Sequence, residues 1–311
     1  MIAPQYGYPL MDGYNPAEDS RRLKEAMRGL GTNDSVLIDI IAHRNRAQRM
    51  MIVADYHTQF GGDLLKDLES ETSGNYRSIV LKLMKPRDEM LAEILFEAMN
   101  HAGTNDGVLI DIMTQYPSEL PAVAATFQRK YGKSLETFIK GETSGSYENA
   151  LITLLNTPRP PPGVVDPVRA ASDAEAFYRA GEGRIGTDER AFMTIIASNS
   201  REQLLLMDQN YRTAHKKGME HAIKSETSGH FRDTLLACIT APDVYFANRI
   251  KEAVDGAGTN DLTLVATFVA NDRPQLQMIA NAFQSRFSVS MAKRVSEDVS
   301  GDYKKILMAL L

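Results

Sequence analysis

Four glycine-rich turns in this chain are each followed, at a nearly constant distance, by an acid. GTND begins at Gly31, Gly103 and Gly258, and GTDE begins at Gly186. SETSG begins at Ser70 and Ser225, GETSG at Gly141 and the looser EDVSG at Glu297. From the glycine to the acid in register (Glu71, Glu142, Glu226, Asp298) the distance is 40, 39, 40 and 40 residues. Glycines let a loop adopt positive φ and turn several carbonyl oxygens toward one point. Such a cluster suits a hard cation, and Ca²⁺ takes about six to eight oxygens, including a bidentate carboxylate. In the first turn, MRGLGT, three carbonyls plus bidentate Glu71 make five ligands and leave about one to three positions for water or an outside oxygen such as a phosphate. One formal negative charge per site puts the affinity of the protein alone toward the roughly 10⁻⁴ to 10⁻³ M end of the calcium range. Anionic lipid phosphates would complete the shell, and several weak sites acting together would give avidity.

Two other chemistries compete for the same residues. A glycine after one helix followed by a threonine or asparagine cap on the next is ordinary helix-turn-helix chemistry, and the acid before T-S-G can be a solvated helix end. Capping alone does not require four pairs at one spacing. The third turn, GEGRIG at 181–186, matches the G-x-G-x-x-G of dinucleotide sites. That fingerprint needs a preceding strand in a βαβ unit, whereas AEAFYRA before it reads as helix and TDERAF after it starts another.

The elements that must position these turns are helices. The glycines step by 72, 83 and 72 residues, which marks four homologous units. In the first, EDSRRLKEAMRGL, DSVLIDIIAHR, AQRMMIVADYHTQF, DLLKDLES and GNYRSIVLKLM carry apolar residues at helical spacing. The predicted architecture is all-α: a short tail at 1–16, five-helix repeats at 17–87, 88–158, 169–241 and 242–311, and a proline-rich linker at 159–168. The prolines favour an extended connection, so the units are expected as two sequential pairs joined by a stiff linker.

Composition excludes several classes. Net charge is −5, which gives no general pull toward nucleic acid. The single Cys238 fits a reducing compartment and a buried apolar role, and no apolar run approaches the roughly 18 residues that span a bilayer. A cytoplasmic, reversibly membrane-associated protein is expected. The six His are scattered, without H-E-x-x-H, P-loop or nucleophile elbow, and the EF-hand string is absent. The chain is read as no enzyme. The rival reading is a calcium-independent scaffold of stacked helical repeats that binds proteins along its face.

Over about residues 17–311 the sequence resembles the annexin family, on the strength of G-x-G-T and an acid about 40 residues later, four times. The resemblance implies a slightly curved disc of four five-helix repeats whose convex face binds Ca²⁺ and, through it, anionic (phosphatidylserine-like) phospholipid. It assigns carbonyls of Met27, Gly29 and Gly31 with Glu71 to the first site. Gly181, Arg184 and Gly186 with Glu226 make the third, and Val254, Gly256 and Gly258 with Asp298 the fourth. The second would use Met99, His101 and Gly103 with Glu142, where His replaces the first loop glycine. Leu30, Ala102, Ile185 and Ala257 resemble residues that the family presents to lipid, and Asp34, Asp106, Glu189 and Asp261 resemble accessory calcium positions that helix-dipole stabilisation explains equally well. Where the family usually has Arg thirteen residues after the last loop glycine, this chain has Arg44 but then Tyr116, Asn199 and Asn271, which implies different inter-helix bonding. The tail, MIAPQYGYPLMDGYNP, resembles the start of the Tyr-Gly-Pro tails of some annexins. It could host a protein partner or a phosphotyrosine, or lie across the concave face. Self-association on membranes is compatible with this reading.

Overall fold

The computed structural model describes residues 14–29, 31–100, 103–160, 163–256 and 258–311. Among them are twenty helices and no strand. The first five are α1 (Pro16–Ala26), α2 (Asp34–His43), α3 (Arg46–Phe60), α4 (Leu64–Glu71) and α5 (Gly74–Leu83). The second five are α6 (Arg87–Met99), α7 (Asp106–Gln115), α8 (Leu120–Tyr131), α9 (Leu135–Glu142) and α10 (Gly145–Asn156). Then come α11 (Pro167–Ala180), α12 (Glu189–Ala197), α13 (Arg201–His215), α14 (Met219–Glu226) and α15 (Gly229–Ile239). The last are α16 (Pro242–Asp255), α17 (Asp261–Ala270), α18 (Arg273–Phe287), α19 (Met291–Asp298) and α20 (Gly301–Leu310). The expected five helices per repeat are present. In the first repeat, the leading helix stops at Ala26, earlier than its apolar pattern suggests, because the glycine turn begins there.

Local chemistry sets the helix ends. Asn45 and Asp272 form reciprocal capping boxes with Gln48 and Gln275 at the starts of α3 and α18. Asp63, Ser134 and Ser290 cap the short helices α4, α9 and α19 that end in the site acids. The second helices of the second and fourth repeats are the most enclosed. In α7, Val108, Leu109, Ile110, Ile112 and Met113 are all buried, and in α17 so are Leu264, Val265, Phe268 and Val269. A helix that is apolar nearly all round belongs in the middle of a core.

The contacts divide the chain into two compact units: residues up to Met90 with Asp243–Leu311, and Leu91–Pro242. The first and fourth repeats therefore share one unit, and the second and third share the other. This corrects the expected pairing of sequential repeats. The proline-rich segment runs within the second unit, where Arg159 donates to Cys238 Sγ at 3.3 Å and Asp166 exchanges hydrogen bonds with Gln203. Fixed φ angles make a connection extended, but burial of helix faces decides which repeats pair.

In the first unit, α2 packs on α20 and α5 on α17. Arg46, at the start of α3, donates to the carbonyls of Lys85 (2.6 Å) and Val269 (2.9 Å), and Arg87 donates to that of Ala270 (2.8 Å). Their guanidinium groups satisfy carbonyls at the C-terminal end of α17, where cations are favoured. In the second unit α7 packs on α15 and α10 on α12. Arg201, which starts α13 as Arg46 starts α3, donates to Gln115 Oε1 at 3.1 Å and to the Thr240 carbonyl, while Gln115 donates to the Ala237 carbonyl at 2.9 Å.

The expected change of inter-helix bonding is also visible. Arg44 forks onto Asp19 at 2.6 and 3.1 Å. Asn199 reaches the corresponding Asp173 with a single bond of 2.9 Å, whereas Asn271 turns back to the Thr267 carbonyl in its own helix. Arg46→Met should destabilise the protein by about 1.5–3 kcal/mol, the scale of a charged hydrogen bond, in urea unfolding followed by circular dichroism. A change below about 0.5 kcal/mol would show that this guanidinium does not join the first and fourth repeats.

Candidate functional site

Each glycine turn is closed by one main-chain bond that recurs in all four repeats. The amide of the residue before the second helix donates to an alanine carbonyl at the end of the first: Asn33 to Ala26 (2.8 Å), Asn105 to Ala98 (2.8 Å), Asp188 to Ala180 (2.7 Å) and Asn260 to Ala253 (2.8 Å). Each bond closes a short arch between the two helices. Its last glycine has positive φ every time, 85°, 95°, 76° and 103° at Gly31, Gly103, Gly186 and Gly258. Side chains rarely adopt that backbone, so glycine is required.

The threonine after that glycine has a role that sequence reading missed. Instead of capping the next helix, its hydroxyl donates to the distant acid: Thr32 to Glu71, Thr104 to Glu142 at 3.2 Å, Thr187 to Glu226 at 2.8 Å, and Thr259 to Asp298. Capping falls to the next residue in three repeats, where Asn105, Asp188 and Asn260 each accept from the amide of the third residue of the helix. A hydroxyl that repeats at a fixed distance from an acid was the available signal, because it is placed to seat one carboxylate oxygen and leave the other free.

Among the described residues, no three His, Cys, Asp or Glu side chains gather as a metal site, so a cation here would depend on main-chain oxygens, as the donor chemistry suggests. In the first repeat, no hydrogen bond from a described residue takes the carbonyls of Met27, Gly29 or Gly31, or the second oxygen of Glu71. The set fits a hard cation. In the third repeat the Gly181 carbonyl accepts from Arg184 N at 3.0 Å and keeps a second lone pair, while those of Arg184 and Gly186 are free of described partners. Gly181 runs against the acid: a Cβ there would stand 2.5 Å from the Phe192 ring and 3.2 Å from Glu226 Cγ. This cradle closes only around glycine, and it fits too. In the second repeat Gly103 and Glu142 meet through Thr104, whereas His101 lies outside the described residues.

The fourth repeat has a different electrostatic filling. Arg294 donates to the Val254 carbonyl and lies 3.6 Å from Asp298 Oδ1 and 3.3 Å from Asp255 Oδ1. Gly258 N donates to the Gly256 carbonyl at 3.0 Å. Two of the three carbonyls and the second carboxylate oxygen therefore already face donors.

Ile185, at the tip of the third arch, is fully exposed at 102%. Leu30, Ala102 and Ala257 lie outside the described residues. The four acids that open the second helices meet neighbouring side chains. His230 Nε2 is 3.3 Å from Asp106, and Ser146 donates to Glu189. Burial, then the nearby carboxylates of Asp34 and Asp261, pushes the hydroxyls of Tyr76 and Tyr303 well above their ordinary range.

A family model described as Annexin matches residues 18–83, 90–154, 172–238 and 245–310. The chain belongs to the annexin family. This annexin is 38% identical over 302 residues to annexin A4 of Sus scrofa, covering 96% of its own length and 95% of the relative's. Among solved structures it is similar to annexin III, with TM-score 0.91, 34% identity and coverage of 96% and 94%. It is also similar to calcium-bound annexin (Sm)1, with TM-score 0.87, 31% identity and coverage of 97% and 91%.

In this annexin, Thr187→Val keeps the shape of residue 187 and removes its donor. It should cost about 1 kcal/mol in calcium-free urea unfolding. An unchanged midpoint would show that the hydroxyl does not seat Glu226.

Proposed function

We propose that this annexin attaches peripherally and reversibly to anionic phospholipid membranes in a calcium-dependent way. The observation that carries the reading is the threonine-fastened carboxylate at each glycine arch, with partner-free oxygens in the first repeat and a glycine-only cradle in the third. Met27, Gly29, Gly31 and Glu71 would hold one cation, and Gly181, Arg184, Gly186 and Glu226 another. Met99, His101, Gly103 and Glu142 offer a further set. Ca²⁺, when bound, supplies the local positive charge through which a chain of net charge −5 meets lipid phosphate. The similarity to calcium-bound annexin (Sm)1 supports the choice of ion.

The arches themselves present oxygens without needing acidic side chains, so each site carries little charge and is weak alone. More than one site on a single bilayer gives avidity. Ile185 stands ready to bury apolar surface at the interface, worth about 1.5–3 kcal/mol if fully desolvated. Among the described residues no helix is long and apolar enough to cross a membrane, which agrees with attachment from one side. A role in membrane organisation, trafficking or scaffolding follows from such reversible attachment.

Sedimentation with phosphatidylserine vesicles tests this directly. Binding should appear with millimolar calcium and vanish with chelator. Glu71→Gln with Glu226→Gln should raise the calcium for half-maximal binding by roughly ten- to a hundredfold, with the helical circular dichroism spectrum intact. Pelleting that ignores calcium favours the helical scaffold instead. At fixed calcium, Ile185→Asp should weaken vesicle binding by about tenfold or more, and equal binding would place the third arch away from lipid.

A further inference from the structure

The fourth repeat keeps the arch, the glycine with positive φ, the threonine and the acid, yet a cation of the chain itself sits among its oxygens. Arg294 lies one helical turn before Asp298 on α19, so the two side chains share a face. Its guanidinium donates to the Val254 carbonyl and approaches Asp298 Oδ1 at 3.6 Å and Asp255 Oδ1 at 3.3 Å. Asp255 is held from the other side by Lys251. The residues at the same place in the other repeats are Asp67, Phe138 and Ala222, so no other repeat has a basic side chain there. Asp67 instead binds Tyr56 and Lys24, away from Glu71.

We propose that Arg294 is the resident cation of the fourth repeat. Its guanidinium takes the carbonyl and carboxylate that the first repeat leaves open, and this arch closes without calcium. The donor set around Val254, Gly256, Gly258 and Asp298 therefore does not fit a metal ion as it stands. The side chain of Arg294 is 22% exposed and that of Asp298 24%, so water screens the pair only partly. A second cation at contact distance from the guanidinium meets like charge, while a planar group with several donors satisfies several oxygens at once. Arg294 thus decides which repeats answer to calcium: the fourth stays silent at concentrations that fill the first and third.

The proposal rests on the calcium reading of those two repeats, and the test separates the two claims. Calcium bound per chain is measured by equilibrium dialysis with phosphatidylserine vesicles for wild type, Arg294→Met, Arg294→Gln, Asp298→Asn and the Arg294→Met/Asp298→Asn pair, with folding checked by circular dichroism. Removing the guanidinium by either substitution should add one calcium per chain, and the double variant should lose that gain. Asp298→Asn alone should leave the wild-type number unchanged. A lost calcium in Asp298→Asn, or no gain in both Arg294 variants, overturns the proposal. If wild type binds none and Arg294→Met binds one, the general calcium reading fails and the role of Arg294 stands. If no variant binds calcium, calcium-free melting decides. A shift in Tm for the double variant smaller than the sum of the single shifts supports the internal cation, and additive shifts overturn it.

Discussion

A threonine hydroxyl that fastens a carboxylate some forty residues away is the contact on which the rest of each repeat depends. The bond is short in reach, so it forms only if the arch between the first two helices lies against the C-terminal end of the fourth. That demand fixes the packing of the intervening elements. The acid must end a helix, as Glu71, Glu142, Glu226 and Asp298 do, and the threonine must follow a glycine with positive φ. The alanine carbonyl that closes the arch then sets how many residues bow outward. Alanine there allows close approach: Ala26, Ala98, Ala180 and Ala253 are all buried.

Much of this is legible in the primary structure. The helix pattern, the fourfold period and the pairing of glycine with acid can be read directly, because they are regular and local or nearly so. The closing alanines cannot, and the true work of the threonines shows only as a hydroxyl at a nearly fixed distance from an acid. A threonine after glycine and before Asn-Asp has the composition of a helix cap, and only the folded chain shows that Asn105, Asp188 and Asn260 do the capping. The repeat pairing is hidden for another reason. Prolines near 160 signal a stiff extended segment, but the preference of α2 for α20 and of α7 for α15 is a matter of complementary buried faces far apart in the chain.

The paired repeats are joined by equivalent devices made from different residues. Arg46 in one unit and Arg201 in the other both stand at the start of a third helix and reach carbonyls or an amide of the partner repeat. The position thirteen residues after the loop glycine varies more: Arg44 forks onto an aspartate, Asn199 makes one bond to its counterpart, and Asn271 bonds to a carbonyl of its own helix. The backbone tolerates this because its arch and core do not depend on that bond.

Position 294 shows what such tolerance permits. The place one turn before the site acid is filled differently in every repeat, because neither the arch nor the hydroxyl contact needs a particular residue there. Phe138 therefore joins the aromatic cluster of Phe96 and Phe127, where rings edge together at 5.7 and 5.1 Å. Asp67 ties to Tyr56, and Ala222 packs as a small buried side chain. Only arginine is long enough, and carries enough donors, to reach both the acid on its own helix and the carbonyl across the loop. A single residue at a structurally permissive place thus changes the charge of a site without changing its shape. That is why a glycine–acid spacing of 39 or 40 residues reports the fold of all four repeats but not the charge that fills each arch.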